Sequence, residues 1–77
     1  MNDTKQTVLT IIAEVLGVEP SDINEEADFT LDLNATPDDV NKIKLNLEQS
    51  LDIVLPDLNQ PDLTVAELLG LVEDSLL

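Results

Sequence analysis

The chain has 77 residues, which allows one domain spanning 1–77 and one compact core. Seventeen acids stand against three lysines and no arginine, for a net charge of −14; that charge repels nucleic acid and anionic membranes and favours basic protein surfaces, through an attraction that weakens with salt. There is no cysteine and no histidine, so disulfides, thiolate chemistry, and the commonest general base and metal ligand are all excluded.

The first predicted element is "DTKQTVLTIIAEVLG". Val8, Ile11, Ile12, Val15 and Leu16 recur at steps of three and four, which places them on one buried helical face. Asp3 is the expected N-cap, with Gln6 three residues on. Gly17 is the expected C-terminal residue, because glycine accepts the left-handed conformation that ends many helices. The N-terminal stretch "MNDTKQTV" carries neither a basic nor an apolar segment of signal-peptide type, and no apolar run approaches the about 18–20 residues that span a bilayer. The expected location is therefore cytoplasmic, without membrane insertion.

A long polar loop follows, "VEPSDINEEADFTLDLNA". Pro20-Ser21-Asp22 predicts one short turn. Ile23, Phe29, Leu31 and Leu33 are the loop's apolar points. A loop of this length in so small a domain has to be pinned, and Phe29 and Leu33 are the expected pins. Phe29 is the chain's one aromatic residue.

The second helix is predicted from Pro37 to Leu51. Val40, Ile43, Leu47 and Leu51 share its inner face. Leu45 falls roughly opposite Ile43, at about 100° per residue, and is either a partner contact or an ordinary exposed leucine. Thr36 is a cap, Pro37 opens the first turn, and Asp38 and Asp39 face the positive end of the helix dipole. Pro56 and Pro61 then bracket "DLNQ", leaving room for at most one short helical turn. The last helix opens on Thr64-Val65-Ala66-Glu67, a capping-box pattern. Val65, Leu68, Leu69, Val72 and Leu76 form its expected buried stripe, and Gly70 inside it costs about 1 kcal/mol relative to alanine. The pattern predicts an all-α chain: a small four-helix bundle whose third helix is very short. The apolar residues are too numerous and too periodic for a disordered acidic chain.

Enzymatic chemistry finds little support. The acids have no His, Cys, Arg, Tyr or Trp beside them, and a bundle this small has little room for a substrate cleft. An EF-hand also fails: counted from Asp28 the sixth position is Leu33, and counted from Asp32 it is Pro37, with Ile43 at the twelfth. No metal site is expected, and the clustered acids offer at most weak, nonspecific divalent-cation binding.

This order of elements resembles the acyl carrier protein family. "LGV" at 16–18, "ADFTLDL" at 27–33, "LDIVLP" at 51–56 and "LTVAEL" at 63–68 carry the resemblance. It runs without a gap from the first helix to Pro56, and the chain is about one residue short thereafter. The family's signature is Asp-Ser-Leu at the start of the second helix, where the serine hydroxyl carries 4′-phosphopantetheine. The ungapped register puts Thr36, Pro37 and Asp38 on those positions. Proline has no side-chain oxygen, so the resemblance implies a carrier fold without its attachment atom and with no expected cofactor. Asn34 stands where the family has a glycine, and asparagine also tolerates left-handed φ. Thr36 is the nearest substitute hydroxyl. Its side chain is rotated by about 100° from the serine direction, and its oxygen is already required for the cap.

The resemblance also implies that the second helix docks on basic surfaces of acyl-transfer, fatty-acid or polyketide enzymes. Asp38, Asp39, Lys42, Lys44, Leu45 and Glu48 form the expected partner surface. Asp39 and Glu48 keep acids at matching positions, whereas Lys42 replaces one that is typically acidic. Lys42 and Lys44 either adapt this face to a different partner or relieve self-repulsion through i,i+4 pairs, Asp38 with Lys42 and Lys44 with Glu48. The expected function is a monomeric protein–protein docking or regulatory module. The alternative is a working acyl carrier modified at a non-standard residue, with its acyl chain in an apolar slot between the helices.

Overall fold

The computed structural model describes residues 3–77; the cap expected of the Asp3 side chain lies outside the described residues. Three α-helices form: α1 over Asp3–Leu16, α2 over Pro37–Leu51 and α3 over Val65–Leu76. A 3-10 turn at Pro20–Asp22 sits where the proline-led turn is predicted. The molecule measures 30 × 25 × 18 Å.

α1 is the hub. It packs against both α2 and α3, while the backbones of α2 and α3 stay apart. Its periodic face is buried at Val8, Ile11 and Ile12, joined by Ala13, with Val15 and Leu16 half-buried at the edge of the core. The helix stops at Gly17, whose φ is +72°. The N–H groups of Gly17 and Val18 both donate to the Ala13 carbonyl, at 2.8 and 3.0 Å, which satisfies an otherwise orphaned helix end.

α2 buries Val40, Ile43 and Leu47, as its spacing predicts, with Leu51 half-buried. α3 buries Val65, Leu68, Leu69 and Val72. Leu76 departs from the expected stripe: it is 45% exposed, because the last turn of α3 runs past the end of the core. No buried polar residue occurs among the described residues, so the core is held by aliphatic burial and Phe29.

The expected very short third helix is not formed. Residues 53–60 carry no helical turn and run as an irregular strap between α2 and α3. Ile53, Leu55 and Leu58 from this strap are buried. The strap fills the gap between the two helices with side chains that an intervening helix would otherwise supply. Pro56 lacks an N–H, and the Leu55 N–H donates to the Glu48 carboxylate at 2.8 Å, so neither residue supplies a helical main-chain hydrogen bond here. Ser75 Oγ donates to the Val54 carbonyl at 3.2 Å and ties the strap to the end of α3.

Candidate functional site

The start of α2 is assembled by the loop before it. Within that loop Asp28 and Asp32 act as local acceptors. Asp28 Oδ1 takes the N–H groups of Thr30 and Leu31, at 2.8 and 3.0 Å, and Asp32 Oδ2 takes the N–H of Asp28 at 2.8 Å. Main-chain bonds from Asp32 and Leu33 to the Asp28 carbonyl, at 2.9 and 3.0 Å, close a tight turn. The turn carries Phe29 into the core, where it is 2% exposed, and leaves Leu33 half-buried. Leu31, by contrast, is 76% exposed. Asn34 then adopts φ +55°, the left-handed conformation for which asparagine is suited. The N–H of Ala35 donates to the Phe29 carbonyl at 2.8 Å. Phe29 thus anchors the approach to α2 both by its ring and by its backbone.

Thr36 is the N-cap, in extended conformation. Its Oγ1 accepts from the Asp39 N–H at 3.1 Å, and Asp39 Oδ2 accepts from the Thr36 N–H at 3.2 Å. This is a capping box with aspartate in the place of the usual glutamate, and it satisfies two donors that the helix cannot satisfy itself. Pro37 occupies the first helical position and is exposed. Its missing N–H costs nothing there.

An open groove of about 260 Å³ lies beside Pro37, floored by Phe29, Val40, Leu58 and Leu63 and edged by Pro61. It lies between the start of α2, the Phe29 turn and the end of the strap, and Thr30, Asn59 and Gln60 give it polar walls. The geometry offers no side-chain oxygen at position 37. The hydroxyl of the preceding residue, Thr36, is held in the cap.

The predicted surface residues separate into two sets. Asp38, Lys42 and Leu45 are exposed and share one face at i, i+4 and i+7; Leu45 is 54% exposed. Asp39, Lys44 and Glu48 are half-buried and already engaged. Asp39 is in the capping box. Glu48 accepts the Leu55 N–H and lies 3.8 Å from Lys44 Nζ. The expected Lys44–Glu48 pair therefore forms, and the expected Asp38–Lys42 pair does not appear among the described residues, because both side chains lie in solvent where such a pair gains little. Sequence reasoning also missed Lys5, which pairs with Glu25 and fastens the loop to α1. No spacing rule links those two positions. Among the described residues, no group of three or more acids is arranged to hold a metal ion, and no helix is long and apolar enough to cross a membrane.

The comparisons with known proteins agree with this architecture. The family model described as "Phosphopantetheine attachment site" matches residues 6–72. The chain is similar to the acyl carrier protein of Porphyromonas gingivalis, 27% identical over 77 residues and covering 99% of each chain. It is also similar to the acyl carrier protein of Zymomonas mobilis subsp. mobilis, 32% identical over 76 residues, covering 99% of this chain and 90% of that relative.

Proposed function

The chain belongs to the acyl carrier protein family, and on that premise we propose that it works as a docking or regulatory module that carries no phosphopantetheine. The observation that carries this reading is the start of α2. Pro37, with no oxygen to esterify, stands where the register with the family puts the serine. Around it the machinery that shapes the helix start is intact: left-handed Asn34, the Thr36–Asp39 capping box, and Phe29 beneath.

Modification at Thr36 is the weaker reading. The oxygen that would be esterified is the acceptor for the Asp39 N–H, so acylating or phosphorylating it removes a cap worth about 1 kcal/mol.

The surface offered to partners is the outer face of α2 with the loop before it. Asp38, Lys42 and Leu45 are its exposed members, and Asp39, Lys44 and Glu48 shape it from behind. α2 holds three acids and two lysines, a net charge of −1 out of the chain's −14. Long-range attraction to basic surfaces therefore comes from the rest of the molecule, and α2 supplies the local fit. The partners proposed are enzymes of acyl transfer in fatty-acid, polyketide or related synthesis, met by a monomeric cytoplasmic protein that is itself not an enzyme.

The test is capture of such enzymes by immobilised protein at low and high salt, comparing wild type with Lys42→Glu and Leu45→Ser. Both residues are exposed, so the variants fold. The expected result is salt-sensitive capture that changes in partner or amount with each variant. Identical capture by all three proteins would remove α2 from the docking surface.

A further inference from the structure

Among the described residues, no main-chain hydrogen bond joins residues 54–59 to a helix. Side chains hold this part of the strap instead. Glu48 Oε2 accepts the Leu55 N–H at 2.8 Å, and Asn59 Nδ2 donates to Asn41 Oδ1 at 3.0 Å. Ser75 adds its bond to the Val54 carbonyl. Asn41 and Glu48 stand about two turns, or about 10 Å, apart along one face of α2. Leu55 meets the later of them and Asn59 the earlier. The strap therefore runs antiparallel to α2 and is clipped to it at two points.

The two clips differ in kind. The Asn41–Asn59 bond joins neutral, exposed side chains, and water replaces either partner at little loss. Glu48 is half-buried, and its bond to Leu55 is charged and partly shielded, which makes it the stronger. Lys44 Nζ, 3.8 Å from the same carboxylate, steadies it from the preceding turn of α2. Beneath the clips the strap buries Leu55 and Leu58. Lifting it breaks no contact between the backbones of α2 and α3, which stay apart. A segment with so few main-chain bonds to its surroundings opens at less cost than the whole fold. Leu58, Asn59 and Gln60 of the strap also line the groove beside Pro37.

We infer that the strap is a releasable wall of that groove and that Glu48 is its latch. Closed, Leu58 floors the groove. Released, the groove runs on into the gap between α2 and α3. This device goes beyond the docking role given to α2 and does not rest on it.

Two measurements test it. The first is native-state hydrogen exchange of the unaltered chain at low urea. The Leu55 amide is expected to exchange through an opening nearly independent of urea, whereas the Leu68 and Val72 amides follow global unfolding. The second uses Leu58→Cys, which puts one thiol on the groove floor of a cysteine-free chain, and reads its labelling by a dilute thiol reagent. Adding Glu48→Ala speeds labelling about tenfold or more, since alanine keeps the helix propensity of the position and the latch is lost. Adding Thr64→Ala leaves labelling unchanged, because that cap stays formed while the strap is open. The same urea dependence for all three amides overturns the proposal, and this result needs no variant. Equal acceleration by Glu48→Ala and Thr64→Ala, or none by Glu48→Ala, overturns it as well.

Discussion

Two helices in this molecule start in almost the same way and are used differently. Thr36 opens α2 and Thr64 opens α3. Each threonine Oγ1 accepts from the N–H three residues on, at 3.1 and 3.2 Å, and each third-residue carboxylate accepts from the threonine N–H at 3.2 Å. Around Thr64 the backbone is sewn into the rest of the chain. Phe29 donates to Leu63, Val65 donates to Ala27 and Ala66 donates to Glu25, at 3.0, 3.1 and 2.8 Å. An isolated bridge pairs Asp28 with Thr64. Val65, the first helical residue, is fully buried. The start of α2 has Pro37 in that place, exposed and with no N–H to give. One start is a structural joint and the other is a surface. Identical capping chemistry therefore says where a helix begins and nothing about what its first turn is for; burial of the first helical residue makes that distinction.

Phe29 links the two starts, since its N–H donates toward α3 and its carbonyl receives the N–H that leads into α2. Phe29→Ala has the largest expected effect, a loss of about 3–5 kcal/mol, comparable to the whole stability of a domain this small. Urea denaturation followed by circular dichroism measures it. A cost below about 1 kcal/mol would be that of a surface side chain and would mean that the two starts do not share this anchor.

The caps come next. Thr64→Ala and Thr36→Ala each cost about 1 kcal/mol, and amide hydrogen exchange separates them. Loss of the Thr64 cap loosens residues 25–29 together with the first turn of α3, because they share main-chain bonds. Loss of the Thr36 cap loosens the amides of residues 38–40 and leaves residues 25–29 protected. Equal spreading from both sites would erase the contrast between joint and surface.

Gly70→Ala tests whether the joint carries α3 alone. A Cβ at Gly70 meets nothing within 4 Å, so alanine should raise stability by up to about 1 kcal/mol. Thermal melts that show no gain would mean that the glycine is needed for the path of α3.

Pro37→Ser has the smallest expected effect on stability, within about 0.5 kcal/mol, as for an exposed residue without a special contact. Its melting curve should nearly overlay that of the wild type.

Much of this was readable from the chain. The inner faces of all three helices follow from apolar spacing, and Gly17, Thr36 and Thr64 mark ends that local chemistry dictates. The four-helix expectation failed at residues 53–60, where Ile53, Leu55 and Leu58 are buried without helical periodicity and two prolines merely limit what can form. Leu76 failed because a periodic stripe does not reveal where the core it faces comes to an end. The site was legible in outline, as the Thr36-Pro37 start, but not in its connections. Asp39 closes a box from a residue type less usual there. Glu48 reaches a backbone N–H seven residues on, and Asp28 and Asp32 serve their own turn rather than a ligand. Such contacts depend on how the chain returns on itself, which residue spacing does not encode.

Pro37 at the start of α2 offers no oxygen for a phosphopantetheine arm. The most direct test incubates wild type and Pro37→Ser side by side with coenzyme A and a promiscuous phosphopantetheinyl transferase, and reads each intact mass. The expected result is an unchanged mass for the wild type and a stoichiometric phosphopantetheine increment for Pro37→Ser. An increment on the wild-type chain would contradict it.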